Sequence, residues 1–212
     1  RYDDSSLYYH RIGIYDGDTL QCTVDAEGKV HQPLNPDRIT SWEACGVTDD
    51  FVWTNEDLKT FQGVYQGNHH VISGALFCGS SAGLISSLEG AVVNLRMEHC
   101  ASIAKTLCQA IVVGESSGTV SNCSVSDSIV VSADTNAYTG AIVGLAKLNS
   151  VISYNTSENN RIMNDGNAAG GIVGQSDVSV RDCLVNGGDV SGEESTGGIV
   201  GTVTNSAEGI CI

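Results

Sequence analysis

A five-residue glycine motif recurs along the second half of the chain and constrains the fold more than any other feature. The motif is GAIVG at 140–144 and GGIVG at 170–174 and 197–201, with weaker copies AGLIS at 82–86 and AIVVG at 110–114. The last residues of successive copies are 28, 30, 30 and 27 residues apart. A repeat of this length is typical of a solenoid, in which each repeat forms one coil that stacks on the next.

Short apolar runs lie between the glycine motifs, such as VSNCSV at 120–125 and SIVVSA at 128–133. Their β-branched residues and alternating polarity favour strands, whereas interruptions by Gly, Asn, Asp and Ser disfavour helices. We therefore predict an all-β fold, a right-handed parallel β-helix (β-solenoid) with three short strands per coil of 27–30 residues. Successive coils should lie about 4.8 Å apart.

The glycine motif predicts two sets of structural residues. We expect the glycine that ends each copy of the motif to lie at a corner, where the chain needs positive φ or a close approach of the next coil. These glycines are Gly114, Gly144, Gly174 and Gly201. We expect the apolar residues two positions earlier to stack in one inward column, formed by Leu84, Val112, Ile142, Ile172 and Ile199. The glycines are not a phosphate-binding loop, because no Lys-Ser/Thr and no helix pattern follows them.

The repeats divide the chain into two parts. Residues 61–212 hold the repeats, and the last coil is incomplete because the chain stops at EGICI. Residues 1–60 show no convincing repeat and contain both Trp and four of the seven Tyr residues. We predict an irregular, β-rich N-terminal cap or flanking segment there. An open solenoid end exposes unpaired strand edges, so we also predict either that more chain follows the last coil or that another molecule covers it, for instance by self-association.

Charge and hydropathy exclude two classes of partner. The chain carries 10 basic and 25 acidic residues, a net charge of −15, which disfavours binding to nucleic acids or to anionic membrane surfaces. No apolar run approaches the ~18 residues that cross a bilayer, so we predict no membrane-spanning segment.

Eight cysteines are many for a reduced cytosolic protein, so they permit a set of disulfides and favour an exported protein. None forms a Cys-x-x-Cys pair, which disfavours a zinc ribbon or a thioredoxin-type redox site. Counted from the glycine motif, Cys183 and Cys211 fall at nearly the same place in neighbouring coils. We predict Cys183–Cys211 as one candidate disulfide, with Cys22–Cys45 in the N-terminal segment as another. The alternative is that cysteines are small buried apolar residues.

Polar side chains that could carry chemistry are few and scattered. His69 and His70 are adjacent, so along a strand they point to opposite sides, and a turn explains them better than a metal site. Arg181 and Asp182 fit a solvated strand face, and Asp165 fits an Asx turn better than a calcium loop. We therefore expect no catalytic residues, no cofactor and no metal site.

Two segments resemble a known family, the bacterial GLUG-motif repeats. GGIVGQSDVSVRDCLVNG at 170–187 is similar to its repeat, and FQGVYQGNHHVISGALF at 61–77 resembles the segment that opens such arrays. Gln66 stands where the family usually has Asp, and His69 where it has Gly. The resemblance implies a right-handed β-helix of secreted or surface proteins, including adhesin-like proteins and the non-catalytic part of some immunoglobulin-A-cleaving metallopeptidases. It implies no shared catalytic residues.

From these observations we expect a non-enzymatic, extracellular or cell-surface module with a structural or adhesive role. It would be a β-helical stalk, or an assembly subunit of a filament, that presents its faces to a protein or glycan surface. One alternative is a carbohydrate-binding or carbohydrate-active β-helix enzyme, since such folds host polysaccharide-cleaving enzymes. Another is the non-catalytic region of a larger secreted protease.

Overall fold

The computed structural model describes residues 13–16, 19–23, 60–79 and 82–204 of the chain. All regular elements in these residues are β-strands. The described residues contain no helix of the length and apolar character that crossing a bilayer requires. β1 (Gly13–Asp16) and β2 (Thr19–Thr23) form an antiparallel pair. The remaining strands form a parallel β-solenoid of about five turns, so the predicted fold class is confirmed.

The described coils consist of strands of two to four residues each, in the following order. Coil 1 contains β3 (Val64–Gln66), β4 (Val71–Ser73), β5 (Leu76–Gly79) and β6 (Ile85–Leu88). Coil 2 contains β7 (Ala91–Val93), β8 (Arg96–Glu98), β9 (Ala101–Ala104), β10 (Cys108–Gln109) and β11 (Val113–Ser116). Coil 3 contains β12 (Thr119–Ser121), β13 (Ser124–Ser126), β14 (Ile129–Ser132), β15 (Tyr138–Gly140) and β16 (Val143–Ala146). Coil 4 contains β17 (Val151–Ser153), β18 (Thr156–Glu158), β19 (Arg161–Asn164), β20 (Ala168–Gly170) and β21 (Val173–Ser176). Coil 5 contains β22 (Val180–Arg181), β23 (Leu184–Asn186), β24 (Asp189–Gly192), β25 (Ser195–Gly197) and β26 (Val200–Val203).

Strands at the same place in successive coils pair in parallel and build five sheets along the solenoid. Sheet 1 contains β3, β7, β12, β17 and β22, and sheet 2 contains β4, β8, β13, β18 and β23. Sheet 3 contains β5, β9, β14, β19 and β24, sheet 4 contains β10, β15, β20 and β25, and sheet 5 contains β6, β11, β16, β21 and β26. The register matches equivalent residues, so that Val120 pairs with Val92 below it and Ile152 above it.

The coil differs from the prediction in its number of strands, which is five rather than three in coils 2 to 5. In coils 2 to 5, corners of two residues separate sheet 1 from sheet 2 and sheet 2 from sheet 3, whereas in coil 1 the four residues 67–70 separate β3 from β4. The first residue of each corner is left-handed, as at Asn94 and Asn122 between sheets 1 and 2 and at Asp127 between sheets 2 and 3, with φ of 57°, 53° and 47°. Such a short corner turns the chain without interrupting the apolar pattern, so two strands look like one in the sequence. The right-handed sense of the coil stays a prediction.

The hydrophobic core runs along the inside of all five coils. Val92, Val120 and Ile152 line it from sheet 1, and Met97 and Val125 line it from sheet 2. The residues of the predicted inward column all lie directly before the strands of sheet 5; Val112, Ile142 and Ile172 are fully buried, and Leu84 and Ile199 are partly buried and pack against the core. The ends of the column are less covered because they belong to the outermost described coils.

The predicted corner glycines lie inside strands of sheet 5 and not at corners; these are Gly114, Gly144, Gly174 and Gly201. None of them is among the glycines with positive φ. A Cβ atom on Gly144 would lie 2.5 Å from the backbone nitrogen of Gln109 and 2.7 Å from the carbonyl oxygen of Gly114. Glycine is needed here because sheet 4 packs directly against the backbone of sheet 5.

Candidate functional site

A buried asparagine joins coils 3 and 4 at the corner between sheets 1 and 2. Asn155 follows the left-handed residue Tyr154, and its side chain points into the core and is fully buried. Its Oδ1 accepts a hydrogen bond from the backbone N–H of Cys123 at 3.0 Å, and its Nδ2 donates to the carbonyl oxygen of Val120 at 3.0 Å. The amide therefore binds the N–H of Cys123 at the corner and the carbonyl oxygen of Val120 within β12.

The corner between sheets 2 and 3 repeats this arrangement over three coils. Ser128 Oγ accepts from the backbone N–H of Cys100 at 3.0 Å, and Asn160 Oδ1 accepts from the backbone N–H of Ser128 at 2.9 Å. Asn160 Nδ2 donates to the carbonyl oxygen of Val125 and to Ser157 Oγ, each at 2.8 Å. Asn155, Ser128 and Asn160 together form a set of buried side chains that we call the corner ladder. It locks the coils in register.

A second buried polar group lies where sheet 3 faces sheet 4. Gln109 Nε2 donates to Ser102 Oγ at 3.2 Å and to the carbonyl oxygen of Val131 at 2.9 Å. Asn164 Nδ2 donates to the carbonyl oxygens of Ala137 and Ala168 at 3.1 and 2.9 Å. These bonds tie each sheet to the other, so the interior is cross-linked by side-chain amides as well as by apolar packing.

Four cysteines of the solenoid are free thiols. Burial raises the pKa of Cys100 and Cys123 to about 11 and that of Cys108 to about 12. Burial also raises the pKa of Cys183, which is only partly buried. A thiolate is the reactive form, so these side chains act as small apolar residues and not as nucleophiles.

The candidate disulfides fall partly outside the described residues. Cys183 is a free thiol, and its predicted partner Cys211 lies beyond the described range. Cys22 lies in β2, and its predicted partner Cys45 is also outside the described residues. Both pairs stay predictions, and the four free thiols lend no support to the export argument drawn from the cysteine count.

The histidines and charged residues singled out in the sequence lie apart from one another on the surface. His69 is left-handed, and the backbone N–H of His70 donates to the carbonyl oxygen of Gly67 at 2.8 Å, as in a turn. Asp182 takes the left-handed place of a corner, and Arg181 and Asp165 are exposed. Within residues 60–79 and 82–204 no three His, Cys, Asp or Glu side chains are grouped as metal ligands.

The outer faces of sheets 1 and 2 carry short hydroxyl side chains in register. Thr119 and Ser121 point outward from sheet 1, and Ser121 Oγ lies 3.2 Å from Ser153 Oγ in the next coil. Ser124 and Ser126 point outward from sheet 2, beside the exposed Arg96–Glu98 ion pair of coil 2. The outward hydroxyl groups of coils 3 and 4 on these two faces form a patch that we call the hydroxyl strip; it consists of Thr119, Ser121, Ser124, Ser126, Ser153 and Thr156.

An exposed aromatic residue lies at the edge of the hydroxyl strip. Tyr154 occupies the corner between sheets 1 and 2 in coil 4, with φ of 57° and a 62% exposed side chain. The same corner carries Asn122 in coil 3 and Asp182 in coil 5. An aromatic ring next to hydroxyl, amide and carboxylate groups is suited to stack on an apolar face of a polar ligand.

Comparisons with protein-family models, curated proteins and solved structures gave no match for this chain.

The corner ladder was missed in the sequence because asparagine and serine are expected in exposed turns. One signal was available. Asn155 holds the same place in coil 4 as Cys123 in coil 3 and Cys183 in coil 5, as the pairing of the following strands shows. A residue that shares an inward column with two cysteines is expected to be buried.

Proposed function

We propose that the chain is a non-enzymatic structural module of an extracellular or cell-surface protein, a rigid solenoid that presents flat faces to a partner. The hydroxyl strip is the observation that carries this proposal. Thr119, Ser121, Ser124 and Ser126 of coil 3, with Ser153 and Thr156 of coil 4, offer hydroxyl donors and acceptors on two neighbouring coils about 4.8 Å apart. A polar ligand surface can contact the hydroxyl groups of both coils at once.

The interior supports a scaffold role because the coils are fixed to one another. The corner ladder and the amides of Gln109 and Asn164 tie neighbouring coils and sheets together. A binding face that is rigid before contact loses little conformational entropy on binding. The hydroxyl strip is therefore preorganised for contact with another rigid surface.

We take a glycan surface as the first partner to test. Tyr154 lies beside the strip, and an aromatic ring that stacks on sugar rings complements the hydroxyl groups of Ser121 and Ser153. The resemblance of residues 61–212 to GLUG-motif repeats supports the same surface location. The net charge of −15 favours neutral glycans over acidic ones.

A glycan array tests this proposal with a matched pair of variants. Tyr154→Ala removes the exposed ring, whereas Tyr138→Phe keeps the ring of a less exposed tyrosine in β15. We expect the chain to bind neutral glycans. Tyr154→Ala should weaken this binding by about tenfold, which corresponds to ~1.4 kcal/mol. Tyr138→Phe should leave the affinity unchanged. Release of cleaved sugars from any bound glycan would instead favour the carbohydrate-active alternative.

Self-association is a second part of this proposal. The core residues of coil 5 are only partly covered, as at Val185, Val190 and Val200. Partly covered apolar side chains favour contact with another chain. Light scattering over a concentration series should show growing particles, and a constant monomer mass would contradict self-association while leaving the glycan proposal intact.

A further inference from the structure

The outer face of sheet 3 is apolar and fully covered in coils 2 and 3. Ala101, Ile103, Ile129 and Val131 are 1%, 0%, 0% and 2% exposed. They alternate with Ser102 and Val130, whose side chains face the solenoid interior. Because successive side chains of a strand point to opposite faces, these four residues point away from the core and are covered from outside.

The solenoid core does not provide this cover. The core cluster includes Val130 and Ile162 from the inward positions of sheet 3, and it includes none of the four outward residues. A second apolar contact therefore exists on the outer side of the sheet. We call the four outward residues the lateral face.

The loops that follow sheet 3 stack on one another along the solenoid. Asn167 Nδ2 donates to the carbonyl oxygen of Asn136 at 3.2 Å, and the backbone N–H of Ala168 donates to the carbonyl oxygen of Ala137 at 3.1 Å. A Cβ atom on Gly166 would lie 2.4 Å from the backbone nitrogen of Ala137. These contacts join the loop of coil 4 to the loop of coil 3.

The cover ends toward coil 5. In the same two columns, Arg161 and Met163 are partly exposed in coil 4, and Asp189 and Ser191 are exposed in coil 5. Leu76, which holds one of these columns in coil 1, is partly exposed, so the covered region is confined to coils 2 and 3, the coils that follow the entry of the chain at residue 60.

We propose that the part of the chain that precedes the solenoid, residues 1–59, docks on the lateral face. These residues connect directly to coil 1, and they contain both Trp and four of the seven Tyr residues, which suit an apolar contact. They carry 12 acidic and 5 basic residues. Lys105 follows the lateral face in coil 2 and Arg161 borders it in coil 4, so the charges of the two surfaces are complementary.

Limited proteolysis of the full chain tests the docking with a matched control. Ile103→Asp places a charge in the lateral face, whereas Val151→Asp places one on the outer face of sheet 1, where Val151 is 51% exposed. We expect cleavage within residues 1–59 to become about tenfold faster in Ile103→Asp, because proteolysis follows the population of the open form. Val151→Asp should be cleaved at the wild-type rate.

Two further measurements make the result decisive. Ile103→Ser is the milder variant if Ile103→Asp does not fold, and far-ultraviolet circular dichroism must show an intact solenoid in the variant used. A zero-length carbodiimide cross-linker should join Lys105 to a carboxylate within residues 1–59 of the same chain. Unchanged cleavage of residues 1–59 in a folded variant would overturn the proposal. So would cross-links from Lys105 only to residues 60–212, or only between isotopically light and heavy copies.

Discussion

Asn155 and Cys123 stack directly above one another in neighbouring coils, and the asparagine Oδ1 accepts the cysteine backbone N–H at 3.0 Å. The same amide donates to the carbonyl oxygen of Val120 at 3.0 Å. One side chain thus binds two backbone groups of the coil below, the N–H of Cys123 at the corner and the carbonyl of Val120 within β12. The stacking of coils depends on such contacts as well as on apolar burial.

Asn155→Ala should destabilise the chain strongly. It leaves the N–H of Cys123 and the carbonyl of Val120 buried without these partners, and we expect the free energy of unfolding to fall by about 2–4 kcal/mol. The control is Asn186→Ala, an exposed asparagine of β23, which should change it by less than about 0.5 kcal/mol. Urea denaturation measures both, and equal losses would contradict a special role for the corner ladder.

Gly144→Ala should also be costly, because the new Cβ would meet backbone atoms at 2.5 and 2.7 Å that side-chain movement cannot relieve. We expect a loss of about 2–3 kcal/mol in the free energy of unfolding. Gly198→Ala is the matched control, since a Cβ there has no atom within 4 Å. It should be neutral or stabilise by about 0.4–1 kcal/mol through the unfolded state. Similar thermal shifts for both variants would rule out close packing of sheets 4 and 5 as the reason for the glycine.

Tyr154→Asn should stabilise the chain. Tyr154 is left-handed with φ of 57° and largely exposed, and asparagine tolerates this backbone conformation better than tyrosine does. We expect a gain of about 0.5–1 kcal/mol, seen as a higher midpoint in urea. Tyr138→Asn, in a strand, should instead lose about 1 kcal/mol. A loss in Tyr154→Asn would show that the ring has packing contacts that its exposure does not reveal.

The buried thiols should make the chain less stable in alkaline solution. Burial raises the pKa of Cys123 from 9.0 to about 11, so between these values the folded state keeps a proton that the unfolded state loses. Its contribution is fully present below pH 9.0 and is lost as the pH rises toward 11. Cys123→Ala should therefore lose less stability than the wild type between pH 8 and 11, as measured by urea midpoints at each pH. An identical pH dependence would contradict a buried neutral thiol.

Thiol labelling tests the order of burial in the same residues. At pH 8 the partly buried Cys183 should react first, because the thiols of Cys100, Cys108 and Cys123 are buried and protonated. Mass spectrometry of peptides after brief alkylation gives the order. Labelling of Cys123 before Cys183 in the folded chain would mean that coil 3 opens more readily than its packing implies.

The period of the glycine motif was enough to predict the solenoid, because equivalent residues such as Ile142 and Ile172 recur at a constant spacing. The number of strands could not be predicted in the same way. A corner such as Asn122–Cys123 takes only two residues, and its second residue points inward, so the apolar pattern continues through the bend. The burial of Asn155 could not be predicted from its residue type. An amide is buried only where carbonyl and N–H groups can bind it, and here the neighbouring coil supplies those groups.

The role of the motif glycines also could not be predicted from the sequence. Gly114 and Gly144 were expected at corners, but the structure places them inside strands of sheet 5. The first residues of the corners are left-handed Asn, Asp, His or Tyr, and they are glycine at Gly74 and Gly187, between sheets 2 and 3 in coils 1 and 5. The need for glycine in sheet 5 comes from the backbone of sheet 4, as in the contact of Gly144 with Gln109, 35 residues earlier, which no local pattern encodes.

The most direct test of the scaffold account measures binding and turnover in one sample. The chain is mixed with a panel of neutral polysaccharides, bound glycan is quantified after sedimentation, and released sugars are quantified by mass spectrometry. The account predicts binding that Tyr154→Ala weakens, with no released sugar above the level of a protein-free sample. Sugar release that rises in proportion to the concentration of the chain would contradict it.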